Sequence, residues 1–278
     1  NQTPLMPLET IPIVSIGTGG IVANAHYPAY RKAGFKVSSA FDPDEGTAQK
    51  RYQEWGVPHA TNLAALIERA PSRCVFDIAV PGSAVANILC QLPIGSYALI
   101  QKPLGETLAQ AREIVSICDA REIHAATNFQ LRWAPYMLAL QDAIAQGLLG
   151  ETYELEFKVN TFTPWANWTF LEKAPRMEMV YHSIHYLDFI RLLWGEPRAV
   201  KAHSINDPSS LKLESTRSTV VLDYGTQRRA VVQTFHNHMA PARHGESYCR
   251  IEGTQGAMWI QMGLNLNYPK GDRDALEI

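Results

Sequence analysis

The stretch MVYHSIHYLDFIRLLW over 179–194 sets two histidines, a tyrosine and an aspartate among apolar residues. Tyr181, His185 and Asp188 stand at i, i+4 and i+7, which predicts one shared face of an α-helix. An imidazole on that face suits proton transfer near neutral pH. Upstream, YALIQKPLG over 97–105 puts Lys102 just after an apolar run that reads as a strand. In open α/β sheets ligands bind beyond the carboxyl ends of strands, so the ammonium is expected to face a bound molecule. Further upstream, Gly17, Gly19 and Gly20 follow the apolar run 11–16, and a second run, 36–41, ends on Asp42.

That last order is strand, glycine turn, helix, strand, acid, which is the order a dinucleotide site needs. Glycines let the backbone approach a pyrophosphate, a helix N-terminus offers N–H groups, and the acid accepts from ribose hydroxyls. The fingerprint departs from G-x-G-x-x-G at its third small position, where Val22 stands, so helix and strand are expected to sit slightly further apart there. Asp42 lies 25 positions after Gly17, somewhat beyond the usual ~20. Asp42 repels a 2′-phosphate and no arginine follows it in FDPDEG, so NAD is favoured over NADP. The competing reading is that Asp42 and Pro43 only form a turn. Ile21 beside the glycines, Pro81 after the strand 75–80, and Gln101 with Lys102 complete the expected cofactor contacts.

These residues need a scaffold. Helices are predicted over 21–33, 44–55, 62–70, 83–92 and 107–121, with strands over 75–80, 97–101 and 123–127 between them. Strands separated by such helices imply right-handed crossovers and a parallel, doubly wound sheet. After a helix near 134–146 the pattern changes to alternating runs over 152–162, Ala199–Ile205, 218–224, 230–235 and 248–252. They read as strands, with Asp223-Tyr224-Gly225-Thr226 as a hairpin turn. The expected fold class is α/β: a Rossmann domain over 1–127, then an α+β domain over 128–278 with a large, mostly antiparallel sheet. Asn206–Ser210 and Met239–Gly245 read as exposed loops.

The sequence resembles the Gfo/Idh/MocA oxidoreductases, relatives of glucose-fructose oxidoreductase and inositol dehydrogenase. The likeness rests on the glycine turn, Gln101-Lys102-Pro103 where the family has Glu-Lys-Pro, and Asn128-Phe129-Gln130-Leu131-Arg132-Trp133 with Pro135. It continues through the Gly147-to-Gly150 turn, the helix with His185 and Asp188, and Glu252-Gly253-Thr254 with Gly256. It implies a nucleotide-binding domain followed by a sheet domain that contacts substrate and often dimerises. It also matches His185 to the family histidine and Tyr181 to the family aspartate four residues before it. With tyrosine there, a carboxylate that would orient the imidazole is missing, and neighbouring His182 is the candidate helper.

The expected chemistry is hydride transfer between the hydroxyl-bearing carbon of a sugar or polyol and nicotinamide. His185 is assigned the hydroxyl proton, Lys102 the stabilisation of charge on the same oxygen, and Tyr181 a supporting hydrogen bond. Sequence does not decide between Lys102 and His185 as the base. Trp165, Asn167, Trp168 and Arg176 form an aromatic loop expected over a polar pocket, or else packed at a domain or subunit boundary. Asn128, Arg132 and His182 are further substrate candidates. The alternatives are reduction of another carbonyl or dihydrodiol substrate, and a dinucleotide-binding regulator without catalysis.

Composition excludes other classes. A balance of 25 Lys+Arg against 27 Asp+Glu lacks the basic excess of a nucleic-acid binder. No apolar run reaches the ~18 residues of a membrane span. Cys74, Cys90, Cys118 and Cys249 are scattered, so neither a zinc ribbon nor a disulfide scaffold is expected. His182-x-x-His185 and His236-x-His238 each permit one-face metal ligation, but no local motif adds a third ligand and no metal is expected. Asn167-Trp168-Thr169 matches a glycosylation sequon and is read as chance. A cytoplasmic enzyme is expected, working as a homo-dimer or homo-tetramer. The absence of an initiator Met and the stop at Ile278 suggest that both ends are incomplete.

Overall fold

A computed structural model describes residues 10–165, 168–210, 212–239, 242–267 and 271–278. The chain divides into two compact units that meet between Asn128 and Phe129. Asn167 of the sequon lies outside the described residues, as do parts of the loop at 239–245 and the residues before Thr10.

In the first unit, β1 (Ile13–Ile16), β2 (Val37–Phe41), β3 (Val75–Ile78), β4 (Tyr97–Ile100) and β5 (His124–Thr127) form a parallel sheet in the order β2-β1-β3-β4-β5. Central strands bury both faces: β1 is buried throughout, and Val14, Ile16, Phe76, Ile78, Ala98 and Ile100 belong to one apolar core. The register pairs Ile16 with Phe41 and Ile78, Ile78 with Ile100, and Ile100 with Thr127. All five strands therefore end level, and the residues after them share one edge of the sheet.

The crossover helices are α1 (Tyr27–Ala33), α2 (Glu45–Trp55), α3 (Leu63–Glu68), α4 (Val85–Leu89) and α5 (Leu108–Ala120). Asp44, Asn62 and Thr107 cap α2, α3 and α5 by accepting from Thr47, Ala65 and Gln110 amides. Gly34 and Gly56 end α1 and α2 in the left-handed conformation.

One departure touches the glycine turn. The sequence predicts a plain helix over 21–33, whereas Val22–His26 is a π-helical turn leading into α1. Val22 is fully buried against Tyr27, Ala40 and Val57. The wider turn houses a bulky side chain where a small one is usual.

In the second unit, α6 (Pro135–Ala145) and α7 (Ile184–Trp194) pack on a seven-stranded sheet. Its strands are β6 (Thr152–Asn160), β7 (Ala199–Ile205), β8 (Arg217–Asp223), β9 (Arg229–Phe235), β10 (Glu246–Gly253), β11 (Ala257–Gln261) and β12 (Ala275–Glu277). The order is β12-β11-β10-β6-β9-β8-β7, antiparallel except for the β6–β9 pair. Leu155, Phe157 and Val159 of β6 and Val220 and Leu222 of β8 alternate onto the helix-covered face, meeting Phe189 and Ile190 of α7. β11 and β12 go beyond the predicted strands: AMWIQ follows Gly253–Gly256 too closely to show its own boundary, and ALE is three residues long. Met179–Trp194 is likewise not one α-helix, because Met179–Ser183 is a π-helical turn ahead of α7. No helix among the described residues is long and apolar enough to cross a membrane.

Candidate functional site

The shared sheet edge of the first unit carries every cofactor residue expected from sequence. Backbone bonds continue the ladder past the strands: Gly17 N donates to Phe41 O, Ala79 N to Ile16 O, Gln101 N to Ile78 O, and Asn128 N to Ile100 O, at 2.8 Å each. Gly17 is held at φ +85°, and a Cβ on it would lie 2.3 Å from the Ala79 carbonyl oxygen. Only glycine fits there. A Cβ on Gly19 would meet nothing within 4 Å, so the space over the turn is open. Ala23 N donates to Gly19 O at 3.2 Å, so the amides just before Ala23 form the first turn of a helix, where anions bind. These residues fit a dinucleotide.

Asp42 is tied to the turn. Its Oδ2 accepts from Thr18 N at 2.7 Å and Thr18 Oγ1 at 3.0 Å, while Oδ1 accepts from Asp44 N at 3.0 Å. Asp42 therefore forms a local turn and also holds Thr18, between the glycines. A carboxylate has about four acceptor positions, which leaves room for a ribose hydroxyl. Sequence reasoning missed Arg51, which reaches back from α2, donates from Nε to Thr18 O at 2.9 Å, and pairs with Glu54.

Pro81 leads into the 3-10 turn Gly82–Ala84, and a Cβ on Gly82 would lie 3.1 Å from the Gly105 backbone. The loop after β3 thus packs on the loop carrying Lys102. Gln101 is buried, and its Oε1 has no hydrogen-bond partner, an acceptor directly beside half-buried Lys102. Asn128 completes the edge. Its Nδ2 lies 3.4 Å from His26 Nε2, and His26 Nδ1 lies 2.8 Å from Asp77 Oδ2. Asp77 is wholly buried on β3. Tyr30 packs edge-on to His26, and burial, with the nearby Asp77 charge, pushes its hydroxyl pKa far up.

In the second unit His185 is half-buried at the start of α7, with Phe129 edge-on at 5.9 Å between ring centroids. Arg132 donates from Nε and Nη2 to Asp188 at 2.6 and 2.5 Å, a two-pronged ion pair. The Asp188 hydrogen bonds raise the Arg132 pKa, against the opposing pull of burial. Tyr181 is buried, its ring edge toward Phe170.

Of the two readings of the tryptophan loop, the described residues show packing. Trp165 and Trp168 are half-buried against a cluster of Leu171, Ala174, Met177, Tyr181 and Leu213, because apolar neighbours take up the indole faces. Trp165 also lies over His182, at 5.2 Å between centroids. Arg176 is placed elsewhere: it lines a cavity of about 570 Å³ with Arg191 and Glu196, and none of the other substrate candidates lines it.

His182 joins a partner not expected from sequence. Glu178 Oε1 lies 2.8 Å from His236 Nδ1 and 3.6 Å from His182 Nδ1, and the two imidazoles stack at 4.0 Å. Burial alone would raise the Glu178 carboxyl, but the two histidines outweigh it and hold its pKa down at about 2. The available signal was spacing: Glu178 lies four residues before His182 on the same helical segment. His236 comes from the end of β9, and no local pattern links it to them.

Comparison with known proteins places this geometry. The profile described as "Oxidoreductase family, NAD-binding Rossmann fold" matches residues 11–129, and that described as "GFO/IDH/MocA C-terminal domain" matches 137–259. The chain belongs to the Gfo/Idh/MocA family. It is similar to D-apiose dehydrogenase of Paraburkholderia graminis, 22% identical over 258 residues, covering 91% of this chain and 68% of that protein. Among solved structures it resembles an Agrobacterium radiobacter oxidoreductase in complex with NAD+, L-tartaric acid and magnesium. That match has a TM-score of 0.79 at 20% identity and covers 97% of this chain and 79% of the other. The WlbA dehydrogenase of Bordetella pertussis, in complex with NADH and UDP-GlcNAcA, matches with a TM-score of 0.77 at 16% identity, covering 93% and 80%.

As a Gfo/Idh/MocA member, this chain is an oxidoreductase of that family with an NAD-binding Rossmann domain. Within this family framework, Arg132 and Asp188 satisfy one another. Arg132→Ala is expected to cost about 1–2 kcal/mol by leaving Asp188 without its counter-ion, the value discounted for the partial exposure of the pair. Denaturant unfolding measures this loss; an unchanged midpoint would show that the pair contributes nothing.

Proposed function

We propose that the protein is an NAD-dependent dehydrogenase of a free sugar or polyol, acting in the cytoplasm as an oligomer. The observation that carries the reading is the common sheet edge: glycine turn, Asp42, Gln101-Lys102 and Asn128 follow strands that end in register. A nucleotide cradle and a candidate acid–base lysine thus lie at the carboxyl ends of one sheet, where such folds bind ligands. The dehydrogenase names and nucleotide complexes of the relatives support the same class.

The chain's residues would work as follows. The turn at Gly17–Gly20 and the first amides of its helix hold the pyrophosphate, and Asp42 accepts from the adenosine ribose. Gln101 Oε1 offers its unused acceptor to the bound nucleotide. The nicotinamide supplies the hydride acceptor. Lys102 hydrogen-bonds the substrate hydroxyl and stabilises negative charge as its C–H pair departs and the carbonyl forms. His185 takes the hydroxyl proton, with Tyr181 in support. Trp165, Trp168, His182, Asn128, Arg132 and Arg176 are the substrate-contact candidates. Among these, Asn128 has the best supported position, at the sheet edge, while Arg132 and Arg176 have the competing engagements described above.

NAD is favoured over NADP because the Asp42 carboxylate faces the turn and the nearby Arg51 guanidinium is buried and paired with Glu54. Asp42→Ala is expected to reduce the NAD-over-NADP preference by about tenfold or more, the scale of one charge-assisted hydrogen bond. The ratio of kcat/KM values measures it, and an unchanged ratio leaves Asp42 as a turn residue only. The function itself is tested by nicotinamide reduction across a panel of aldoses, inositols and sugar acids. NADH formation with at least one member is expected. NADH binding without turnover of any member would favour a non-catalytic regulator.

A further inference from the structure

We propose that Glu178, His182 and His236 form a binding site for one divalent transition cation of borderline softness, with zinc the best match. The three side chains offer ligand atoms that all lie within 4.8 Å of one another. Two imidazole nitrogens and a carboxylate oxygen are the donors zinc takes when a fourth position stays open for water or a ligand. Both Nδ1 atoms converge on one carboxylate oxygen, at 2.8 and 3.6 Å, so a small displacement makes room for a shared cation between them.

Two further observations point to a ligand. Glu178 is completely buried, yet its second oxygen, Oε2, has no hydrogen-bond partner. An unsatisfied buried carboxylate oxygen is costly, and a coordinated cation or its bound water would remove that cost. Trp165, whose ring tilts over His182, likewise has a buried Nε1 without a hydrogen-bond partner. An N–H donor there suits a metal-bound water or hydroxyl.

The local backbone serves the site. Glu178 directly precedes the π-helical turn Met179–Ser183 and His182 lies within it, and such turns recur at functional positions. His236, directly after β9, brings its ring from the sheet. Access is from the His182 side: its side chain is 23% exposed, against 6% for His236 and 0% for Glu178. Three residues after His182, His185 is a separate side chain assigned to proton transfer, so this proposal stands independently of the dehydrogenase reading.

The test uses the full chain, stripped with a chelator and titrated with zinc against a chromophoric competitor. One zinc per chain is expected, with an accompanying rise in thermal midpoint. Cobalt at the same site is expected to give the absorption bands of four-coordinate N/O ligation. Glu178→Gln and His236→Gln should each weaken zinc by about 100-fold or more, whereas His203→Gln, on the exposed face of β7, should bind as the wild type does. If the buried substitutions prevent folding, His182→Gln, at the partly exposed ligand, carries the test. Zinc bound equally by wild type and His182→Gln, or at less than one per chain, would overturn the proposal and leave Glu178 as an ionic anchor for two histidines.

Discussion

Replacing Lys102 with alanine is expected to lower turnover by about 1,000-fold while leaving NADH affinity within about threefold. Lys102 follows β4 at the sheet edge, next to the unused Gln101 acceptor and behind a loop fixed by Gly82 against Gly105. In the proposed role an ammonium held there would act on charge that appears on the substrate oxygen only as hydride leaves, so its loss should fall on kcat more than on KM. In the proposed site the nucleotide would be bound mainly by backbone groups of the glycine turn, which the substitution does not touch. Lys102→Arg should not restore activity, since a planar guanidinium presents its donors at a different distance and angle. Steady-state kinetics with a fluorescence titration of NADH measures both quantities. Turnover comparable to wild type would remove Lys102 from the site.

His26→Ala is expected to destabilise the first unit by about 3–5 kcal/mol, because it leaves the wholly buried Asp77 carboxylate without the imidazole 2.8 Å away. The effect should reach function as well, since the other nitrogen of His26 faces Asn128 at the sheet edge. His26→Gln, which retains a donor, should recover part of the loss. Denaturant unfolding of both variants measures it. Equal stability of His26→Ala and wild type would show that Asp77 is satisfied by other means.

The parts of this molecule visible in its sequence are those set by local rules. Gly17, Asp42, Ala79, Gln101 and Asn128 directly follow strands β1 to β5, and the apolar runs and turn residues mark those strand ends within a few positions. Capping by Asp44, Asn62 and Thr107 is equally local. The dinucleotide turn was legible because Gly17 must adopt a positive φ beside a carbonyl, a constraint that selects one residue type. Other features depend on tertiary neighbours. Arg51 reaches Thr18 across 33 residues, His26 reaches Asp77 across 51, and His236 reaches Glu178 across 58. No spacing encodes such pairs. The π-helical turns at Val22–His26 and Met179–Ser183 were hidden for a related reason: ordinary helical periodicity fits both segments, and the extra residue per turn shows only in the fold. The tryptophan loop left two readings open because indoles serve equally as exposed platforms and as packing, and its apolar neighbours take up much of the indole surface.

Isotope transfer measures the proposed hydride step without an intervening assay. Sugars and polyols carrying deuterium on their hydroxyl-bearing carbons are incubated with NAD and the protein, and the reduced nucleotide is analysed by mass. Reduced nucleotide that carries one deuterium from at least one such substrate is expected, formed more slowly than from the protiated compound and lost in Lys102→Ala. Stoichiometric nucleotide binding with no deuterium transferred from any member of the panel would contradict it.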